Sequence, residues 1–501
     1  MNYKSIIFTV NNKVLYRSSG SHRIATHIRQ QGWNCEVVDF VDFWELEELQ
    51  ELISSRMDEN MKFIGFSFLF NNPDCESVIR NLCIWVREKY PKVILLSGGQ
   101  TMLPDMQHFD YHIAGYGEYA LDVLLKYLFS NGEKPKFDIL RSKGKTKIID
   151  ALHTYPAYPF KRPNIFYEKR DFIQQHEWGM IEFSRGCKFK CLYCNYPILG
   201  VTEDHTRDAD SVKEQMLRNY NEFGIENYIV SDETFNDHTE KIVKFADVVE
   251  KLPWKPYFTG YIRADLLISR KQDWDHLIRM GFLGHFYGVE TFNAKSGKAI
   301  GKGMNPDKVK QGLLEVKKHF SDASNNMYRA IVAMIGGLPY ETVESLDDTL
   351  EWFRKNWKDQ VVMASVLEIA KLEKEFRPSA LALDYVKYGY RSIPEDDPRI
   401  QIAFSEMIKH SSFGSIAWEN DYMDIIQAHT WQKKMHNLDY LGNHNLGKLD
   451  PFYLSNNLVK DNGDLLTLEE KIKLNNVTSS PFCLNIPIFI ENYKNNKLSY
   501  I

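Results

Sequence analysis

Two successive series of alternating strand and helix patterns constrain the fold of this 501-residue chain more than any other feature. The first carries short apolar or β-branched runs: SIIFTV (5–10), CEVVDF (35–40), FIGFSF (63–68), VILLS (93–97) and YHIAG (111–115). Between them, HRIATHIRQQG and ESVIRNLCIWVREKY place apolar residues three and four apart, as crossover helices do. That order predicts a parallel sheet covered on both faces, a doubly wound, Rossmann-like domain. The second series has candidate strands GMIEF (179–183), NYIV (227–230), YFTGYIR (257–263), HFYGVE (285–290), RAIVAMI (329–335) and VVMASVL (361–367). Its spacing suits a partial (β/α)6 barrel, two units short of a closed one. The expected α/β organisation is a front domain over 1–130, a linker over 131–177, a barrel over 178–375 and a small, mostly helical C-terminal region over 376–501. The linker is inferred from NGEKPK, RSKGKTK and several prolines without sustained periodicity.

Composition removes several classes of function. With 44% apolar and 26% charged residues the chain is an ordinary globular protein. Its net charge of -5 is spread without a long single-sign run, so no nucleic-acid partner is expected. No apolar stretch reaches the ~18 residues of a membrane span, and the run in MNYKSIIFTVNNK is too short for a signal peptide, so the expected location is cytoplasmic.

Three of the seven cysteines crowd into the segment FSRGCKFKCLYCNYP, at Cys187, Cys191 and Cys194. They follow the first candidate barrel strand, where active-site residues of such barrels sit. A loop of this size can wrap one cofactor. A four-iron cluster normally takes four thiolates, so three leave one iron open to substrate. A structural zinc site would need a fourth ligand; His205, the nearest candidate, fits no zinc spacing. Cys35, Cys75, Cys83 and Cys483 are scattered, as buried apolar thiols are.

The C-x3-C-x2-C spacing, with Tyr193 just before the third cysteine, resembles the defining motif of the radical S-adenosylmethionine (SAM) superfamily. The resemblance implies a 4Fe-4S cluster on Cys187, Cys191 and Cys194, with SAM chelated at the open iron and cleaved reductively to a 5′-deoxyadenosyl radical that takes a hydrogen atom from substrate. It further implies SAM contacts at strand ends: Tyr193 beside the cluster; Asp232 and Glu233 at the amino group, though Ser231-Asp232-Glu233 replaces the usual Gly-Gly-Glu; Arg263 at the carboxylate; Glu290 near the ribose or methionine end; and Gly336, Gly337 and Pro339 against adenine. A carboxylate is what an ammonium seeks. A low-potential donor such as flavodoxin or ferredoxin would supply the electron.

A doubly wound domain ahead of such a barrel resembles the cobalamin-binding subclass of that superfamily. The implied cobalamin contacts are Ser67 near the end of the third strand and Asn71 after it, Ser97, Gly98 and Gly99 at the end of the fourth, and Gly115, Gly117 and Glu118 at the end of the fifth. The sequence lacks the D-x-H-x-x-G motif that supplies a lower axial histidine, and His22 stands outside that context. The resemblance implies cobalamin-dependent methylation of an unactivated carbon, or, with a cofactor-free front domain, another radical rearrangement, oxidation or cyclisation. A non-catalytic metal-binding scaffold is the alternative from another class. The substrate is expected to be a small molecule, a lipid precursor or a peptide. Residues 376–501, with Trp418, Tyr422, His429, Trp431, His436, Tyr440 and His444, are expected to cover the barrel mouth and to contribute substrate contacts; most of the aromatics are expected to form a small core, stacking of Tyr422 and Trp431 on a flat substrate being the alternative.

Overall fold

The computed structural model describes residues 3–11, 15–68, 73–99, 107–138, 144–151, 164–194, 205–358, 360–371, 378–394, 396–400, 415–440, 453–460, 462–474 and 486–500. Asn71, His444 and Cys483 lie outside these residues.

The first strand series forms a six-stranded, wholly parallel sheet: β1 (Lys4–Val10), β2 (Asn34–Val38), β3 (Met61–Phe68), β4 (Ile94–Gly99), β5 (Tyr111–Ala114) and β6 (Lys147–Asp150). Their order is β2-β1-β3-β4-β5-β6. The direction of winding reverses between β1 and β3, and a crevice opens at the strand ends of such a switch point. Both faces are buried. One packs Phe8, Phe66 and Leu95 against the helices Leu46–Arg56 and Pro73–Lys89, the other packs Ile7, Phe63 and Leu96 against Ser19–Arg29 and Glu118–Phe129.

The segment expected as linker contributes β6, the edge strand paired with β5. Only Ile148 and Ile149 are apolar between flanking lysines and Asp150, a run too short for periodicity to reveal. Residues 164–177 then lie across the front domain, where buried Asp171 accepts from Arg29 and buried Glu177 from Arg17.

The second series forms a parallel sheet in consecutive order from β7 (Gly179–Ile181) through β10 (Tyr228–Val230), β11 (Phe258–Ile262), β12 (Phe282–Glu290) and β13 (Arg329–Gly336) to β14 (Val361–Val366). This is the expected six-unit open barrel. A two-stranded clasp, β8 (Ser184–Arg185) with β9 (His205–Thr206), pairs the chain on either side of the cysteine segment.

The C-terminal region departs from expectation. Helix Ile425–Tyr440 packs along the barrel's edge strand, where Gln432 and His436 donate to the carbonyl of Ala364 on β14. A hairpin of β15 (Arg391–Ser392) and β16 (Trp418–Glu419) lies before it. Helix Ile486–Ser499 does not cover the barrel at all: it returns to the front sheet, where Phe489 and Tyr493 pack edge-on against Phe40 and Lys497 donates to Glu36 and to the carbonyl of Val37. No helix among the described residues is long and apolar enough to cross a membrane.

Candidate active site

The cysteine loop leaves the barrel at Gly186, whose φ of 101° is open to glycine and strained for other residues. Buried Leu192 anchors it, donating to the carbonyl of Ile300 and accepting from Leu381 N. The three thiols are half-buried and not disulfide-bonded. Cys187 lies 3.7 Å from the Thr234 hydroxyl, and Arg263 donates to the Cys191 sulfur at 3.6 Å. Burial pushes the Cys187 thiol pKa up. Among the described residues no three His, Cys, Asp or Glu side chains are grouped as ligands of a single ion. A four-iron cluster does not ask for that convergence, because each thiolate meets a different iron. Three thiols on one loop, with a cation and a carboxylate nearby, suit such a cluster with SAM.

The strand ends place the expected SAM contacts unequally. Arg263, at the end of β11, stands over the Phe189 ring at 3.8 Å, pairs with Asp265 at 2.8 Å and donates to the carbonyl of Gly301. Glu290 ends β12 after a register shift at Gly288, with φ at 73°, a conformation that non-glycine residues hold only where the surroundings enforce it. It accepts from the Tyr193 hydroxyl at 2.7 Å and pairs with Lys302, which also donates to the carbonyl of Gly288. Tyr193 and Glu290 therefore tie the cysteine loop to the barrel. Lys302 is absent from the expected residues because nothing local in IGKGMN marks it.

Glu233 is half-buried after β10, accepting from Gly186 N and from the hydroxyl of Tyr116 in the front domain. Asp232, beside it, is fully buried and turned inward. Its two oxygens accept from Phe183 N, Ser184 N and the Ser184 hydroxyl, and burial pushes its pKa up to about 8. Expected as a SAM contact, it instead ties the start of the cysteine loop to β10.

Gly336 and Gly337 are likewise turned away from an open site. A Cβ on Gly336 would stand 2.6 Å from the Trp431 ring, and one on Gly337 would stand 2.2 Å from Trp418. Glycine is needed here for the approach of two indoles, whose N–H groups donate to the carbonyls of Leu346 and Leu367. Pro339 is buried in the same turn. Trp431 is thereby removed as a stacking platform, whereas Tyr422 stays half exposed. Buried Glu341 closes the turn, accepting from Gly337 N, Leu338 N and Thr291, with its pKa pushed up by burial to about 7.

In the front domain a cleft opens at the switch point. Ser67, Ser97, Gly98, Gly99, Gly115 and Gly117 all line it, together with apolar Ile7, Ile24, Phe63, Leu96 and Ile113. A Cβ on Gly99 would stand 2.4 Å from the carbonyl of Phe68, so only glycine fits that strand end. The apolar wall and bare glycine backbone suit a large, flat cofactor with an amide fringe. Glu118 does not line the cleft. It is buried between Arg185 at 2.9 Å and Arg23 at 2.7 Å, which against the cost of burial hold its pKa below the usual carboxylate range. His22 is also spoken for, its ring buried and paired with Asp39 at 2.9 Å.

The cleft and the cysteine loop meet through one network. Arg185, completely buried, pairs with Glu118 and Glu182 and lies 4.0 Å over the ring of Tyr116, which stands between the cleft glycines Gly115 and Gly117.

Comparison with known proteins agrees with this arrangement. Residues 181–353 match the radical SAM superfamily. An anaerobic magnesium-protoporphyrin IX monomethyl ester cyclase from Synechocystis sp. is 23% identical over 257 residues, 48% of this chain and 51% of that protein. The chain thus spans about half the length of that curated relative. The structure of the radical SAM methyltransferase TsrM from Kitasatospora setae, with tryptophan substrate and a SAM analogue bound, superposes with a TM-score of 0.63 at 13% identity, covering 87% of this chain and 89% of that one. The cobalamin-dependent SAM radical enzyme OxsB, with aqua-cobalamin and SAM bound, gives a TM-score of 0.59 at 14% identity, covering 99% of this chain and 72% of the other. The chain shares their fold, a doubly wound front domain followed by a radical SAM domain.

Proposed function

We infer that this chain, which carries a radical SAM domain over residues 181–353, is a cobalamin-dependent radical SAM enzyme that methylates an unactivated carbon. The observation that carries the reading is the meeting of two sites. A loop with three half-buried thiols and a glycine-lined cleft are joined by Tyr116, Glu233 and Arg185. Cys187, Cys191 and Cys194 would hold a 4Fe-4S cluster. Glu233 and Arg263 offer opposite charges for the ammonium and carboxylate of SAM, and Tyr193 fixes Glu290 at the rim. Ser67, Ser97, Gly98, Gly99, Gly115 and Gly117 would receive cobalamin. When bound, these groups supply a 5′-deoxyadenosyl radical and a transferable methyl group. Asp232, Gly336, Gly337, Pro339 and Glu118 act behind this shell, fixing the loops that bear it.

The described residues that line the cleft include no histidine, and buried His22 is hydrogen-bonded to Asp39, so the serines and glycines of the cleft, and no histidine, would hold cobalamin here. The kinship with a cyclase favours a second reading, radical cyclisation without methyl transfer. Anaerobic purification with hydroxocobalamin supplied, reconstitution with iron and sulfide, and addition of SAM and dithionite test both. Corrin absorption and 5′-deoxyadenosine are expected, the latter lost in Cys191→Ala. Absence of corrin overturns the cobalamin reading, and 5′-deoxyadenosine that persists in Cys191→Ala overturns the cluster assignment. Product mass in substrate-fed reactions separates methylation from cyclisation.

A further inference from the structure

Four buried side chains close a ring of alternating charge between the two domains. Arg23 and Glu118 come from the front-domain helices Ser19–Arg29 and Glu118–Phe129, while Glu182 directly follows β7 and Arg185 ends β8. Arg23 pairs with Glu118, its Nε 2.7 Å away, and donates to Glu182. Arg185 pairs with the same two carboxylates, at 2.9 Å to Glu118 and 3.1 Å to Glu182. Two of the four pairs therefore cross from one domain to the other.

Such a ring is a poor source of stability, since each charge loses its hydration, and apolar residues of like volume hold a buried contact as well. What it supplies is register: forked guanidiniums meet two carboxylates in few relative settings of the domains. Its opposite corners touch different sites. Arg23 alone of the four lines the glycine cleft, beside Gly20, Ser21 and Ile24 of its own helix. Arg185 is followed by Gly186, whose N–H donates to Glu233, and then by Cys187. The Arg23 corner is the looser one: its side chain is 10% exposed against 1% for Arg185, and its Nε is out of line for a hydrogen bond to Glu118.

We propose that Arg23 is a positioning residue that couples the two sites: fixed when the cleft is filled, it completes the ring, and the ring holds Arg185 and the first turn of the cysteine loop in the setting that SAM requires. Freedom lost to the first ligand is not lost again to the second, so each ligand strengthens the other by the same factor. The proposal rests on the cobalamin-dependent radical SAM reading and adds the route by which one cofactor prepares the site of the other.

SAM is titrated by calorimetry into the anaerobic, cluster-reconstituted protein with and without hydroxocobalamin. Hydroxocobalamin is expected to tighten SAM by about fivefold or more, the lower end of coupling between sites, and SAM to tighten hydroxocobalamin equally. Arg23→Met removes the guanidinium yet leaves Arg185 to neutralise both carboxylates, and should bring the factor below about twofold. Glu182→Gln, nearly isosteric and outside the cleft lining, should abolish the coupling while hydroxocobalamin alone binds as in the parent; it carries the test should Arg23→Met fail to fold. A merely structural ring would lower the melting temperature of both variants and leave the coupling factor intact. Independent binding in the parent, or coupling that persists in the folded variants, overturns the proposal alone. A parent that takes up no hydroxocobalamin, or no SAM, overturns the cofactor reading itself, and the coupling falls with it.

Discussion

The hydroxyl of Tyr116 donates to the carboxylate of Glu233, joining the glycine cleft of the front domain to the first turn of the cysteine loop. Arg185 over the Tyr116 ring holds that tyrosine in place. A carboxylate so fixed presents itself to an ammonium without losing further side-chain freedom.

Tyr116→Phe should therefore weaken SAM binding without unfolding the protein. Loss of one hydrogen bond to a carboxylate corresponds to about 1.5–3 kcal/mol, a fall in affinity of roughly tenfold to a hundredfold. Calorimetric titration of SAM into the anaerobic protein checks this, with the melting temperature as control.

Filling the cleft should separate the two sites. A Cβ on Gly98 would meet only the carbonyl of Ile113, at an ordinary 3.6 Å, so the strand can accept a side chain there. Gly98→Leu should exclude hydroxocobalamin, seen as lost corrin absorption, while uncoupled formation of 5′-deoxyadenosine continues.

Two glycines with similar backbones should respond differently to alanine. Gly337 has φ at 94° and meets Trp418, whereas Gly389 has φ at 86° with nothing within 4 Å of its Cβ position. Gly389→Ala should cost only the conformational strain, about 1–2 kcal/mol. Gly337→Ala adds a clash with a buried indole and should cost about 3 kcal/mol or more. Urea denaturation of the two variants measures the difference.

His285 predicts an acid sensitivity. Its ring is fully buried, donating to the carbonyl of Phe282 while its other nitrogen lies 2.6 Å from the Tyr287 hydroxyl, and burial lowers its pKa from 6.5 to about 3. Between those values the unfolded chain binds a proton that the folded chain refuses, so stability falls as pH drops below 6.5 and approaches 3. The slope is about 1.4 kcal/mol per pH unit. His285→Gln should flatten the difference between denaturation curves recorded at pH 6.5 and 5.

Where burial is local and periodic, the sequence was readable. The eleven expected strands all appear, because β-branched runs between amphipathic helices leave few alternatives. β6 was missed, since two isoleucines make no pattern. The thiol spacing is carried by one contiguous segment and needs no tertiary knowledge. Asp232 and Glu233 are adjacent and chemically alike, yet one turns to the backbone of Phe183 and Ser184 and the other to Tyr116. Such a division is set by partners remote in sequence. The same holds for Gly336 and Gly337, whose small size answers to Trp431 and Trp418, and for Glu118, claimed by Arg23 and Arg185.

The clasp of Ser184–Arg185 with His205–Thr206 bears on how the protein would withstand air. Its backbone pairing holds the two ends of the cysteine segment together, so part of the entropy of closing that loop is lost when the chain folds and not when iron arrives. On the proposed assignment, a cluster destroyed by oxygen leaves behind a tethered loop inside a folded protein. Repair then becomes a matter of resupplying iron and sulfide, with no refolding step between damage and recovery.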